Sequence, residues 1–256
     1  MPSGRPAGKL LAGKGAVITA AAGSGIGLAT ARRFIEQGAR VLVSDRHQGR
    51  LDKAIVELEQ LTGQRPLSFL CDVTSQSDVD GLFEFAAKEL GRVDCLVNNA
   101  GLGGRRALVE MTDEEWLRII EVNLTGTFRM LRAGLRLMFG QGGGAIVNLS
   151  SVLGWRAQAE QGHYAAAKAG IMALTRCAAV EAAPYSVRVN AVAPSLAMNP
   201  HLHLTGDAEL LGELADKEAM GRAADPLEVA DVIVFLASDL SSYMTGEVVS
   251  VSAQHP

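Results

Sequence analysis

Short apolar runs alternate along this chain with longer segments whose apolar residues recur every three or four positions, and this alternation constrains the fold more than any other feature. The runs are continuously apolar, which is typical of strands buried on both faces of a parallel sheet. Seven strands are predicted, at residues 16–19, 41–44, 67–70, 95–97, 145–149, 187–192 and 248–251.

The segments between the strands have the length and the apolar spacing of amphipathic helices. They cover residues 26–37, 51–61, 79–90, 116–138, 164–182 and 227–238. Strands alternating with helices through right-handed crossovers predict an α/β fold, with a doubly wound, parallel, seven-stranded, Rossmann-like sheet flanked by helices on both faces. No internal repeat or linker interrupts residues 1–256, so a single domain is expected.

One stretch, residues 195–220, does not fit the alternation. It lies between the sixth strand and the last long helix, is rich in Leu, Glu and Ala, follows Pro194 and is interrupted by Pro200. Long insertions in compact α/β domains are often lids. We therefore expect a helical insertion that covers a substrate, with an ordinary pair of surface helices as the alternative.

Charge, hydropathy and cysteine usage exclude several classes of partner. The formal net charge is −4, whereas nucleic-acid binding needs a clustered surplus of Lys and Arg. No uncharged apolar run reaches the roughly 18 residues of a membrane span, so no membrane partner is expected. Cys71, Cys95 and Cys177 lie far apart in apolar runs, which predicts buried free thiols, no metal site and a reducing, cytoplasmic location.

A glycine-rich loop follows the first predicted strand and opens the first predicted helix. It contains, in order, Gly23, Ser24, Gly25, Ile26 and Gly27. Glycines there permit a tight turn and a close approach of the backbone to a pyrophosphate, which then meets the free N–H groups of the helix N-terminus. The position between strand and helix favours a dinucleotide site over a simple turn.

An acidic residue, Asp45, ends the second strand, 18 residues beyond Gly27. A carboxylate there can accept both ribose hydroxyls and repels a 2′-phosphate, so NAD is expected as the cofactor and NADP is the less favoured alternative. The adjacent Arg46 partly offsets that repulsion.

Polar groups also follow the third and fourth strands, at the edge of the sheet where ligands bind in such folds. We expect cofactor contacts from Asp72, Val73, Asn99, Ala100 and Gly101. Asn and Asp also favour turns through local hydrogen bonds, and this alternative stays open for each of them.

Ser151, Tyr164 and Lys168 come after the fifth strand, with the last two at the start of a long helix. Tyr164 and Lys168 are four residues apart and share one helical face. A tyrosine acts as a base near neutral pH only when its pKa is lowered, and a neighbouring ammonium and a positively charged nicotinamide can do this. Ser151 would hold the substrate oxygen, and Asn123 would anchor a water that leads protons from Lys168.

These motifs together resemble those of the short-chain dehydrogenase/reductase family over nearly the whole chain. The shared motifs are the glycine loop, Asp72, Asn98-Asn99-Ala100-Gly101, Asn123, Ser151, Tyr164-Ala165-Ala166-Ala167-Lys168 and Asn190-Ala191-Val192-Ala193-Pro194. The resemblance implies one dinucleotide-binding and catalytic domain, with further cofactor contacts from Pro194 and Ser195. Departures are Ala20 for the usual Gly, Ser195 for Gly, Asn199 for Thr, and a tail without Asp-Gly-Gly.

More narrowly, the segment 151–158, His163 and the 254–256 terminus resemble actinobacterial dehydrogenases of steroid C/D-ring breakdown, which act on a CoA-linked hydroxy-indanone fragment. The resemblance implies hydride transfer between NAD(H) and a secondary alcohol or ketone. Leu153, Trp155, Leu196 and Met198 would form an apolar wall, and Arg105, Arg106 and Arg156 would meet CoA phosphates. A solvated role for these arginines and a core role for Trp155 are the alternatives.

Three other activities stay open. A 3-oxoacyl-thioester reductase, on acyl carrier protein or CoA, uses the same Ser, Tyr and Lys apparatus. A carbon–carbon double-bond reductase would not need Ser151, and a nucleotide-sensing protein would need none of the three residues. The helices at 116–138 and 164–182 carry broad apolar stripes, which predicts a homo-oligomer, a tetramer or a dimer.

Overall fold

The computed structural model describes residues 8–197 and 208–253, and its centre is one seven-stranded sheet. The strands are β1 Gly15–Thr19, β2 Arg40–Asp45, β3 Leu67–Leu70, β4 Cys95–Asn98, β5 Gly144–Leu149, β6 Val187–Pro194 and β7 Val248–Val251. Their order is β3-β2-β1-β4-β5-β6-β7, and every neighbouring pair is parallel. The parallel sheet predicted from the apolar runs is confirmed.

The helices alternate with these strands. In the described part of the chain they are α1 Ile26–Glu36, α2 Gln48–Thr62, α3 Gln76–Leu90, α4 Asp113–Ile120, α5 Gly126–Gln141, α6 Gly162–Ala182, α7 Ala208–Lys217 and α8 Pro226–Ala237. None of the helices in residues 8–197 and 208–253 is long and apolar enough to cross a membrane.

Two hydrophobic cores cover the two faces of the sheet. Consecutive side chains of β1 point to opposite faces, and accordingly Ile18 packs with Phe34 of α1 and residues of α2 and α8, whereas Val17 packs with Leu82 of α3 and Met130 of α5. The helices therefore flank both faces, as predicted. This arrangement leaves the carboxyl ends of the strands as the edge where a ligand can bind.

The edges of the sheet and one cysteine depart from the predicted burial. The outermost strands β3 and β7 are only partly buried, because each has a neighbour on one side only.

Cys71 and Cys95 are buried free thiols as expected, but Cys177 is exposed. It lies on a face of α6 that does not pack on the sheet, so the prediction that it is buried was wrong.

The long helix predicted at residues 116–138 is interrupted. A π-helical turn at residues 121–125 separates α4 from α5, so the segment contains one wide turn with an extra residue. The helix also starts earlier, at Asp113, because Thr112 and Glu115 form a capping box: the Thr112 hydroxyl accepts from the Glu115 N–H and the Glu115 carboxylate accepts from the Thr112 N–H.

The predicted insertion at residues 195–220 is helical where it is described. It contains α7, and residues 198–207, which include Met198 and Asn199, lie outside the described residues. The two ends of the insertion meet, because the Ala224 N–H donates to the Leu196 carbonyl at 2.9 Å and Ala197 pairs with Ala224. The segment thus leaves β6 and returns to the same place before α8.

Candidate active site

The glycine-rich loop connects β1 to α1 at the point where the strand order reverses. Its first residue, Ala20, has a left-handed backbone with φ of 50°. Glycine adopts that conformation at little cost, whereas alanine is strained there. The loop therefore begins with a strained alanine in a conformation that suits glycine.

The N-terminus of α1 can hold an anion. Gly25 precedes the helix and supplies no side-chain cap, and the first turn contains no acidic residue. Ser24 is exposed beside it. Free N–H groups and the positive end of the helix dipole thus face the surface, which is the donor set that a dinucleotide pyrophosphate requires. The loop fits the cofactor that the sequence predicts.

Gly27 allows α1 to approach the end of β1. A Cβ atom on Gly27 would lie 2.5 Å from the Ala20 carbonyl oxygen and 2.5 Å from Nδ2 of Asn99. Both distances are too short for any side chain. The glycine is therefore required by helix packing, independently of any contact with a ligand.

Asn99 and Ala100 hold the ends of β1 and β4 together. The Thr19 hydroxyl accepts from the backbone N–H groups of Asn99 at 2.9 Å and Ala100 at 3.0 Å. The Asn99 amide donates to the carbonyls of Thr19 at 3.0 Å and Ala20 at 3.1 Å. Asn99 was predicted to contact the cofactor, but both of its amide donors bind the backbone that shapes the glycine loop.

Asp45 ends β2 at the same edge and is only 6% exposed. Its Oδ1 accepts from the His47 N–H at 2.9 Å and from the Arg50 guanidinium at 3.0 Å. Within residues 8–197 and 208–253, no group donates to Oδ2. One carboxylate oxygen is thus held by the protein and the other can accept ribose hydroxyls. Sequence reasoning missed Arg50, which lies five residues after Asp45 in the first turn of α2 and belongs to no motif that was recognised.

Asp72 and Val73 follow β3. The Asp72 carboxylate accepts from the Thr74 N–H at 2.9 Å and from the Thr74 hydroxyl at 2.7 Å, so it forms the local turn that was the alternative interpretation. Val73 is buried, and a Cβ atom on Gly126 would lie 2.7 Å from its side chain. The backbone after β3 is therefore fixed against α5.

Ser151, Tyr164 and Lys168 come together between the end of β5 and α6. The Ser151 hydroxyl influences the Tyr164 phenol, whose pKa it lowers by hydrogen bonding. The Lys168 ammonium lies 5.4 Å from the centroid of the Tyr164 ring and donates to the Leu149 carbonyl at 2.7 Å. The Ser150 hydroxyl donates to the Lys168 carbonyl at 2.9 Å, which ties α6 to the end of β5.

Burial controls the ionisation of this group. It raises the pKa of the Tyr164 phenol, and the hydrogen bond from Ser151 acts in the opposite direction. Burial also lowers the pKa of Lys168 to about 8. Desolvation of the phenol thus outweighs its polar contact. The lowering expected from the sequence requires the positively charged nicotinamide as well and stays a prediction.

Asn123 is fully buried in the π-helical turn. Its amide donates to the carbonyls of Leu102 and Ile119, each at 2.9 Å, and its Oδ1 accepts from the Leu102 N–H at 3.2 Å. A Cβ atom on Gly101 would lie 2.8 Å from that Oδ1 and 3.6 Å from the Lys168 ammonium. Asn123, Gly101 and Lys168 are thus neighbours, but the Asn123 side chain is occupied by the loop after β4.

Pro194 and Ser195 lie at the carboxyl end of β6. The Ser151 hydroxyl is 3.5 Å from the Pro194 carbonyl, and the Ser195 N–H donates to the Val251 carbonyl at 3.2 Å. The ends of β5, β6 and β7 therefore meet at this point. The tail residues 254–256 lie outside the described residues.

The arginines predicted to meet phosphates differ in their pairing. Arg105 binds the Glu160 carboxylate at 2.7 Å, and Arg106 binds Glu115 at 3.0 Å. Arg156 has no ion pair within the described ranges, and its buried Nε has no hydrogen-bond partner there. Of the predicted apolar wall, Trp155 is exposed, and Leu153 and Leu196 are partly buried.

Comparison with known proteins identifies the family. A model of the short-chain alcohol dehydrogenase type, described as enoyl-(acyl carrier protein) reductase, matches residues 20–253. The chain belongs to the short-chain dehydrogenase/reductase family. It is therefore an oxidoreductase that acts on a small molecule with a nicotinamide dinucleotide, NAD or NADP, as the family does.

Two curated relatives extend over almost the full length of this short-chain dehydrogenase/reductase. The (5R,7aS)-5-hydroxy-7a-methyl-1-oxo-2,3,5,6,7,7a-hexahydro-1H-indene-carboxyl-CoA reductase of Mycobacterium tuberculosis is 58% identical over 248 residues, which is 96% of this chain and 95% of the relative. A 3-oxoacyl-acyl-carrier-protein reductase of Thermotoga maritima is 41% identical over 246 residues, 94% of this chain and 97% of the relative.

Two solved structures have the same fold. A short-chain dehydrogenase from Mycobacterium smegmatis is 52% identical, with a TM-score of 0.86 over 100% of this chain and 98% of its own. An NAD⁺-bound xylitol dehydrogenase is 31% identical, with a TM-score of 0.89 over 95% of this chain and 99% of its own. The doubly wound architecture is thus shared with enzymes of this family.

Proposed function

We propose that the chain transfers a hydride between NAD(H) and a secondary alcohol or ketone, with Tyr164 as the acid and base. The observation that carries the proposal is the convergence of three groups between the end of β5 and α6: the Ser151 hydroxyl, the Tyr164 phenol and the Lys168 ammonium. The ammonium lies 5.4 Å from the centroid of the phenol ring, and Ser151 lowers the pKa of the phenol by hydrogen bonding. Two hydroxyl groups converge there, and both can bind one substrate oxygen.

In reduction, Tyr164 gives its proton to the carbonyl oxygen while that oxygen accepts a second hydrogen bond from Ser151; in oxidation, Tyr164 takes the proton back. When bound, the nicotinamide supplies or accepts the hydride. Lys168 favours the phenolate by its charge. Asn123 acts on this centre by holding the loop after β4, and we propose that its backbone rather than its occupied side chain meets the proton-relay water.

Replacing Tyr164 tests the proposal. Tyr164→Phe is expected to lower turnover by about 10²- to 10⁴-fold and to leave cofactor affinity nearly unchanged, because only the proton donor is lost. Turnover is measured with saturating NADH, and affinity by quenching of protein fluorescence. A Tyr164→Phe enzyme with wild-type turnover would exclude the phenol as the acid.

Ser151→Ala separates carbonyl reduction from carbon–carbon double-bond reduction, the activity in the description of the matching family model. A carbonyl substrate loses one of its two hydrogen bonds, so we expect a drop of about 10²-fold in kcat. Unchanged activity of Ser151→Ala on an enoyl thioester would favour double-bond reduction.

We propose NAD as the cofactor, with the pyrophosphate held by Gly23, Ser24, Gly25, Ile26 and Gly27. The support for NAD is Oδ2 of Asp45 at the end of β2, which accepts no hydrogen bond from the residues that the structure describes. The remaining contacts proposed are the adenine against Asp72 and Val73, and the nicotinamide half against Asn99, Ala100, Gly101, Tyr164, Lys168, Pro194 and Ser195.

Two substitutions test the cofactor preference. Asp45→Ala removes the carboxylate that repels a 2′-phosphate, so the NAD/NADP ratio of kcat/KM should fall by about 10-fold or more. Arg50→Ala leaves the carboxylate but removes its ion pair, so the ratio should rise. If Asp45→Ala left the ratio unchanged, another residue would set the preference.

For the substrate, we propose a ring ketone or alcohol carried on a CoA thioester of the kind formed in steroid breakdown. The support is the 58% identity to the hexahydroindene-carboxyl-CoA reductase, which exceeds the 41% identity to the 3-oxoacyl reductase. Arg156 is the best placed of the predicted arginines to meet a CoA phosphate, since Arg105 and Arg106 already bind carboxylates.

A substrate screen tests this choice. The bicyclic CoA thioester should be turned over with NADH, and Arg156→Ala should raise its KM about 10-fold while leaving the KM of the free ring acid unchanged. Arg118→Ala is a matched control, because it removes an exposed arginine of α4 that is not proposed to meet the CoA phosphates. Faster turnover of a short 3-oxoacyl thioester with NADPH would select the 3-oxoacyl-thioester reductase instead.

The assembly, the lid and the location are also proposals. We propose a homo-oligomer, a tetramer or a dimer, supported by the exposed apolar side chains Leu117, Phe128 and Val180 on α4, α5 and α6. Light scattering after size exclusion measures the mass. We further propose that the 1–256 chain acts as one domain whose insertion at 195–220 covers the substrate. The expected cytoplasmic location stays a prediction.

A further inference from the structure

His163 directly precedes Tyr164 and is buried, with 2% of its surface exposed. It lies in the first turn of α6, where backbone N–H groups have no partner within the helix. Gln161, the residue before the helix, provides no side-chain cap. Instead, Nδ1 of His163 accepts the backbone N–H of Tyr164 at 2.9 Å.

The other side of the ring faces the loop after β4. A Cβ atom on Gly104 would lie 3.0 Å from Nε2 of His163 and 3.6 Å from its Cε1, so only glycine leaves the ring undisturbed. A nitrogen that accepts a hydrogen bond has no proton, and the neutral ring therefore carries its proton on Nε2. Contacts on both sides fix the orientation of the imidazole.

The same loop also holds the residues just before the ring. The Arg106 N–H donates to the Glu160 carbonyl at 2.9 Å, and the Arg105 side chain binds the Glu160 carboxylate at 2.7 Å. Glu160 has a left-handed backbone, with φ of 65°, which a residue other than glycine adopts only when its surroundings hold it there. The loop thus fixes both the backbone and the side chain of Glu160, two residues before the start of α6.

We propose that His163 is a positioning residue: its Nδ1 accepts the Tyr164 N–H, and its ring, held between Gly104 and α6, keeps the Tyr164 phenol against Ser151. The inference rests on the proposed role of Tyr164 as acid and base. The imidazole and Gly104 are not among the groups that are proposed to contact substrate or cofactor.

The test compares His163→Ala with His163→Asn. Asparagine places Oδ1 where histidine has Nδ1, so it keeps the acceptor but loses the ring; alanine loses both. Each variant is made in a Tyr185→Phe/Tyr243→Phe background, which leaves Tyr164 as the single tyrosine of the chain's three. The ultraviolet absorbance of the tyrosinate, titrated with NAD⁺ bound, then reports Tyr164 without any substrate.

His163→Ala is expected to shift the tyrosinate titration to higher pH, because a displaced phenol loses its hydrogen bond with Ser151. It should lower kcat on the bicyclic CoA thioester by about 10- to 100-fold without changing the Kd of NAD⁺. His163→Asn should keep most of the wild-type kcat, and its tyrosinate titration should lie close to that of the wild type. Gly104→Ala, which presses on the ring from the other side, should shift the titration in the same direction as His163→Ala.

A wild-type titration in His163→Ala would overturn the inference, and so would equal defects in His163→Asn and His163→Ala, since the ring would then matter only for packing. Failure of the proposed function has a different signature. In that case Tyr164→Phe keeps its turnover, whatever the titrations of the His163 variants show.

Discussion

Replacing Lys168 with methionine removes one charge beside the proposed acid and keeps the length of the side chain. The ammonium lies 5.4 Å from the centroid of the Tyr164 ring and is almost fully buried. With an effective dielectric constant of about 20, two unit charges about 5 Å apart interact by about 3 kcal/mol. That interaction favours the phenolate over the phenol, and its loss corresponds to a rate about 10²-fold lower.

The pH dependence of the effect follows from the pKa of Lys168. Burial lowers that pKa to about 8, so the ammonium is present below this pH and is lost as the pH rises through it. The deficit of Lys168→Met should therefore be full near pH 7 and should shrink above pH 8. Steady-state kcat for alcohol oxidation at saturating NAD⁺, measured across this range, checks both statements.

Lys168→Arg is the matched control, because arginine keeps the charge, and it should retain more activity than Lys168→Met near pH 7. The reasoning fails if Lys168→Met stays within about threefold of wild type near pH 7. It also fails if the deficit grows rather than shrinks as the pH is raised, since a neutral lysine cannot stabilise a phenolate by charge.

Three further outcomes are expected. Lys168→Met should raise the free energy of unfolding near pH 7 by about 3 kcal/mol in urea titrations, because it removes a buried charge. The gain should disappear as the pH rises from about 8 to 10.5, because over this range the folded wild type binds fewer protons than the unfolded chain and becomes more stable. Ala20→Gly should stabilise the protein by about 1 kcal/mol by relieving a left-handed backbone, and no gain in melting temperature would contradict this. The exposed Cys177 should react with iodoacetamide in the native protein. Cys71 and Cys95 should react only after denaturation, because they are buried and burial raises the pKa of each thiol to about 12.

The sheet was predictable because its central strands are buried on both faces and are therefore continuously apolar. Helix starts were less so: α2 and α3 begin with polar residues, Gln48 and Gln76, ahead of the first apolar position. The π-helical turn was missed because the apolar spacing continues through it. The residue after the turn, Gly126, packs on Val73, a contact between residues far apart in the sequence that the apolar spacing does not contain.

In the site, spacing alone placed Tyr164 and Lys168 on one face of a helix, because four residues make about one turn. The contact of Arg50 with Asp45 was not predicted, since it depends on how the chain turns from β2 into α2. That of His163 with Gly104 was not predicted because it depends on how the loop after β4 lies on α6. The desolvation of the Tyr164 phenol was not predicted either, because it depends on the surrounding tertiary structure, which the motif does not contain.

The π-helical turn at residues 121–125 accommodates one extra residue between α4 and α5. Deleting one residue there would restore a regular helix and close the wide turn in which Asn123 lies. The Asn123 side chain, whose amide and carbonyl oxygen now hold Leu102 from both sides, would lose the local geometry on which that contact depends. One residue in this turn therefore determines whether the Asn123 side chain anchors the loop after β4, although none of the proposed chemistry takes place on α4.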